Sequence, residues 1–232
     1  MEGESEGVMR LFKIEWILAA MLCVATLGAS GGVADSVATS YPPVIQGSIT
    51  GAQSLAIDAS GNRYVVGTFQ GGVDFNPMTG LDAKVSAGSS DAFVTRFNAD
   101  NSYAWTQTFG GTGIETANAV VLSPDGLTVY VVGDFTSTGA QVGGTGPAVS
   151  SPGTGGSAYV MALSTASGAP KTAFGSASSG VQVFGGASVA AKGNAAAAGA
   201  SIMYFGGSFS GPHRGFAMAR RENVLGADSV ES

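Results

Sequence analysis

The sequence predicts an all-β fold made of a repeated antiparallel unit, and three observations carry that prediction. One phrase recurs: Tyr64 opens YVVGTF, Tyr130 opens YVVGDF and Tyr204 opens YFGGSF. The first two copies stand 66 residues apart, the same offset that relates Phe93 in DAFVTRF to Tyr159 in SAYVMAL. Phe109 in TFGG answers to Phe174 in AFGS at an offset of 65. Self-similarity at a fixed offset marks one supersecondary unit used several times. Composition agrees: 37 glycines and only 11% charged residues in a 232-residue chain leave little for solvated helix surfaces and much for turns. Third, the apolar runs are short, rich in β-branched and aromatic residues, and bounded by Gly-containing turns.

Taken in order, the chain opens with an export signal. Residues 17–27 read ILAAMLCVATL, eleven uncharged and mostly apolar residues. That length suits a signal-peptide core and falls short of the ~20 residues of a spanning helix. Arg10 and Lys13 supply the preceding positive charge, and Gly32-Val33-Ala34 offers a small-x-small cleavage pattern. Glu2, Glu4 and Glu6 are out of place in such a segment, so Met9 is the better start. Residues 1–34 are therefore expected to be a signal peptide and 35–50 a linker, with the mature chain exported and without a membrane span. Cys23, the single cysteine, lies inside the signal, which excludes disulfides, a thiol nucleophile and a zinc-thiolate site from the mature protein.

The first repeat is expected over 51–118. Strand 54–57 leads through Asp58-Ala59-Ser60-Gly61-Asn62 into the strand 64–69, and Gly61 supplies the positive φ of the reversal. DAFVTRF at 91–97 alternates with period two, so Phe93 and Phe97 share a face. After the turn NADN, YAWTQTF at 103–109 closes the unit at Gly110-Gly111. The second repeat, over 119–186, follows the same plan, with strands at 119–122 and 129–135 joined through Gly126. The third, over 187–220, is degenerate: Ala195 to Ala198 are expected to stretch its hairpin turn, and Gly215-Phe216-Ala217-Met218 only shadows DAFV. Residues 221–232 read as a tail. Four antiparallel strands in a meander are the content of a β-propeller blade.

AIDASGNRYVVGTFQGGVDF, SSDAFVTRFNADNSYAW and FGGTGIETANAVV together resemble the bacterial SBBP repeat family, whose members are predicted β-propellers. The resemblance is close over residues 52–122, good at YVVGDF and poor in the third copy. It implies a propeller-type fold and export to the cell envelope, and it carries no catalytic motif. Closed propellers use about four to eight blades. Two clear copies and a damaged third therefore predict an incomplete or open propeller: a partial stack, a self-associating one, or a truncated remnant.

No constellation of reactive residues stands out. A net charge of −6 with scattered Lys and Arg argues against a nucleic-acid surface. His213, the single histidine, sits in a turn without a nearby acid. Gly110 to Gly113 lack the helix and Lys of a phosphate loop. Tyr103 and Trp105 could stack sugars, but fourth-strand aromatics more often pack between blades. Asp58, Ser60 and Asn62 echo the donor spacing that opens a calcium loop, and they are the candidate metal residues; an Asx-type turn explains them equally. The reading is a non-catalytic exported β-repeat protein acting as a binding or structural module of the cell envelope, with carbohydrate or an envelope protein as the expected partner. The alternative is a propeller-type carbohydrate-active enzyme in which two of Asp58, Asp74, Asp91 and Asp134 meet at one ligand.

Overall fold

The computed structural model describes residues 45–153, 155–199, 202–210 and 216–221, with only the backbone given for Ser176 and for 216–221. The segment expected to be a signal, Cys23, His213 and the tail beyond 221 lie outside the described residues.

The expected strands form, and they form in the expected order. The first sheet contains β1 (Gln46–Ile57), β2 (Arg63–Asp74), β4 (Asp91–Phe97) and β5 (Tyr103–Gly110) as an antiparallel meander. Short β3 (Ala83–Val85) pairs with the far end of β2. The second sheet repeats the plan with β6 (Glu115–Leu122), β7 (Thr128–Phe135), β9 (Ser157–Ser164) and β10 (Val181–Phe184). Between β7 and β9, the two-residue β8 (Gln141–Val142) crosses back and pairs with β5, tying the second unit to the first. The third sheet has β11 (Ala191–Ala198), β12 (Ile202–Phe209) and β13 (Phe216–Arg221). Gly61 at φ 83° and Gly126 at φ 71° make the two hairpin reversals. Two boundaries differ from the periodicity: β1 begins at Gln46, inside the expected linker, and β6 begins at Glu115, four residues before the expected second repeat.

The recurrent phrase is explained by its glycine. A side chain on Gly67 would lie 2.1 Å from the Gly51 carbonyl oxygen, and one on Gly133 1.8 Å from that of Thr116. In the first and second sheets the first strand therefore crosses directly over the glycine of the second strand, which no other residue would permit. Across the sheet, Gly67 pairs with Phe93 and Gly133 with Tyr159, so an aromatic ring fills the space that the glycine leaves. In the third sheet Gly207 pairs with Phe216, which puts Phe216 in the register of Phe93 and shifts GFAM by one place against DAFV.

Two findings correct the sequence reading. The fourth-strand phenylalanine of the second unit is Phe184, not Phe174: Phe184 pairs with Ala158 as Phe109 pairs with Ala92. Phe174 lies in the turn before β10 and packs its ring 5.7 Å from Tyr130. An inserted turn had moved the true match, QVFGG against QTFGG, to a different offset. Ala195 to Ala198 are strand, paired with Gly206 to Met203, because cross-strand pairing overrides alanine's low strand preference. The expected all-β class is observed as three antiparallel sheets, and the described sheets form no closed ring.

Burial follows the two faces of the second sheet. One face joins the first sheet through Tyr64, Val66, Phe109, Val131, Phe135, Tyr159 and Met161. The other joins the third through Tyr130, Val132, Val160, Phe174, Met203 and Phe205. A smaller cluster of Phe69, Val73, Phe75 and Phe93 covers the first sheet's opposite face. Trp105 packs against Tyr64 at 6.1 Å and donates its Nε1–H to the Thr165 carbonyl at 3.1 Å, so it serves the junction between sheets.

Candidate functional site

The four aspartates that an enzyme would need are each engaged in a separate local structure. Asp58 Oδ1 accepts from the Ser60 and Asn62 backbone amides at 2.9 and 3.0 Å. Its Oδ2 accepts from Asn62 Nδ2 at 2.8 Å and from the Tyr64 hydroxyl at 3.2 Å. Partial burial alone would raise its pKa, but these donors outweigh it and hold the carboxyl below the usual range. Asn62 turns its nitrogen toward Asp58, and its own Oδ1 accepts from the Ala99 amide at 3.2 Å. Asp58, Ser60 and Asn62 therefore close an Asx turn, in which the Asp58 carboxylate and the Asn62 amide are already bonded within the protein. Among the described residues no group of three or more His, Cys, Asp or Glu converges.

Asp74 Oδ1 caps a turn by accepting from the Asn76 and Asp82 amides at 2.9 and 3.0 Å. Asp91, buried, accepts from Ser86 Oγ at 2.8 Å and from the Ala87 amide at 3.2 Å. Asp134 accepts from Asn118 Nδ2 at 2.8 Å. No two of the four share a hydrogen-bond partner.

An acid that the periodicity did not single out lies deeper. Glu115, the first residue of β6, is 0% exposed. Its Oε2 accepts from the Gly111 amide at 2.8 Å and its Oε1 from Ser137 Oγ at 2.6 Å. Desolvation pushes its pKa up, and the nearby Asp91 charge adds to the rise. Asp91 is likewise raised, chiefly by burial. Glu115 staples the β5–β6 connection to the segment after β7, and being closed to solvent it can reach no substrate. Its register counterpart in the third sheet is Ala191: Glu115 N donates to the Ser90 carbonyl as Ala191 N donates to that of Gly156. The staple is thus peculiar to one junction.

One polar feature does recur in all three sheets. Each first strand carries a single-residue bulge at the same register, between Ala52 and Ser54, Ala117 and Ala119, and Gly193 and Ala195. The extra residues are Gln53, Asn118 and Asn194, an amide each time. Bulges re-aim a side chain out of the pleat and gather at functional edges. The bulges stand side by side, since Val120 N donates to Ser54 Oγ at 3.3 Å and Asn118 Nδ2 donates to the Gly193 carbonyl at 2.8 Å. Asn118 also holds Asp134, whereas Gln53 and Asn194 are exposed. A row of amides offers neutral donors and acceptors and no proton-transfer chemistry.

No family model matches the chain, and no curated protein matches it. The geometry therefore stands alone. No helix among the described residues is long and apolar enough to cross a membrane. A groove of about 280 Å³ opens beside Phe75, Met78, Phe97 and Tyr103. Tyr103, one of its lining residues, donates its hydroxyl to Asp82 and is pushed above the ordinary tyrosine range by burial and then by that bond.

Proposed function

We propose that this chain is an exported, non-catalytic β-repeat module of propeller type, related to the SBBP repeats, that binds a neutral hydroxyl-rich ligand such as an envelope carbohydrate along its row of bulge amides. The observation that carries the reading is the recurrence of Gln53, Asn118 and Asn194 at one register in three neighbouring first strands. Amide side chains pair with sugar hydroxyls as donor and acceptor together, and repetition at blade spacing suits a polymer. The separate engagement of the four aspartates supports binding over hydrolysis. The signal-like N-terminus supports export.

Binding of soluble cell-wall and capsular glycans by calorimetry tests this. Gln53→Ala and Asn194→Ala, both at exposed positions, should each weaken binding about three- to thirtyfold, the loss of one or two hydrogen bonds, without shifting the melting temperature. Binding unchanged in both variants, or a glycan-cleaving activity lost in Asp91→Asn or Asp134→Asn, contradicts the proposal. Export is checked by N-terminal sequencing of the secreted product, expected to begin near residue 35.

A further inference from the structure

The outer face of the first sheet carries something that the repeat does not supply elsewhere. Where the first and second sheets meet, Phe109 of β5 packs on Phe135 at 5.5 Å and 67° and on Tyr159 at 4.5 Å and 48°. Phe135 and Tyr159 are themselves 6.1 Å apart. Register makes Phe69 the counterpart of Phe135, and Phe93 the counterpart of Tyr159. Among the described residues no earlier sheet stands over Phe69 and Phe93 to offer them a phenylalanine.

The triad is complete nevertheless. Phe75, the residue that follows β2, lies 5.5 Å and 87° from Phe69 and 5.1 Å and 51° from Phe93, with Phe69 and Phe93 6.4 Å apart. It is fully buried. The segment that delivers it is tied down at both ends. Phe75 N donates to the Asp82 carbonyl at 3.1 Å, Asp74 caps Asn76 and Asp82, and the Asp82 carboxylate takes both the Tyr103 hydroxyl and Lys84 Nζ. The corresponding stretch of the second unit does otherwise: after Phe135 it runs to β8 and joins the first sheet.

We infer that residues 75–82 are a built-in end cap, in which Phe75 stands in for the phenylalanine of a neighbouring sheet and keeps the face beneath closed to a second copy of this chain. The second copy is the fitting occupant because the capped face shares its register and its aromatic pair with a face that one of the chain's own sheets already covers. Repeat stacks require such caps, since a bare terminal face invites head-to-tail growth. This inference does not rest on export or on carbohydrate binding, and mass and glycan affinity fail independently.

The test is the light-scattering mass of the full chain across a dilution series. Phe75→Ala should at least double the wild-type mass at high concentration and return to it on dilution. Asp74→Ala, which loosens the segment but keeps the ring, should move the mass in the same direction. Phe109→Ala removes an equivalent ring from inside the stack and should lower the melting temperature without raising the mass. Phe75→Ala with a native circular dichroism spectrum and wild-type mass throughout overturns the inference. So does Asp74→Ala at wild-type mass if Phe75→Ala does not fold, and so does an equal mass increase in Phe109→Ala.

Discussion

At Gly133 the chain has room for a hydrogen and nothing more. Gly133→Ala should destabilise the protein by about 1–3 kcal/mol, the usual range for an overpacked site, and Gly67→Ala should do the same; a shift in denaturant midpoint measures both. Glu115 makes a different forecast. Its pKa is raised on folding, so its contribution is complete below the ordinary glutamate range and is lost as pH rises through the folded value. The wild type should therefore lose ground to Glu115→Gln as pH rises above the ordinary glutamate range. A melting-temperature gap that stays constant or widens in the wild type's favour would contradict this. The Asp58 turn predicts that millimolar calcium leaves the melting temperature unchanged, because ligands stabilise only through a site they can occupy. A rise reversed by chelation would restore the calcium reading. Some of this was legible in advance: Gly61, Gly126 and the Asx turn follow from local chemistry. Glu115 was not, because its partners Gly111 and Ser137 come from two different connections, which no periodicity relates.

Elements were read well where pairing and propensity agree, as in β2, β4 and β7. They were misread where an insertion broke the offset. Phe184 lies ten positions beyond Phe174, so a fixed offset points to the wrong phenylalanine. Register resolves it, since only Phe184 sits opposite Ala158. The bulge amides were invisible for a related reason: a bulge exists only once a strand has found its partner. Asn118 bonds both Asp134 and the Gly193 carbonyl, so it links the second sheet to the third. Asn118→Ala should cost about 1–3 kcal/mol through the unpaired acceptors it leaves, in contrast to the neutral Gln53→Ala. At the β5 edge, Phe109→Ala should cost about 3–5 kcal/mol, as expected for an aromatic removed from a closed core.

At the scale of the molecule, the second sheet is the centre of the structure, with an apolar junction on each face. The first sheet protects its outer face with Phe75. The third is less enclosed, and Tyr204 is 48% exposed where its counterparts Tyr64 and Tyr130 are 0% and 5% exposed. Repeats of this kind cannot bury their faces alone, so stability should be shared between neighbours and should weaken from the centre outward. Hydrogen–deuterium exchange of the full chain measures that directly. One cooperative, slowly exchanging set comprising β2, β4, β6, β7 and β9 is expected, with β11 and β12 opening earlier. Exchange of the first and second sheets as independent units, or at the rate of an unstructured chain, would contradict it.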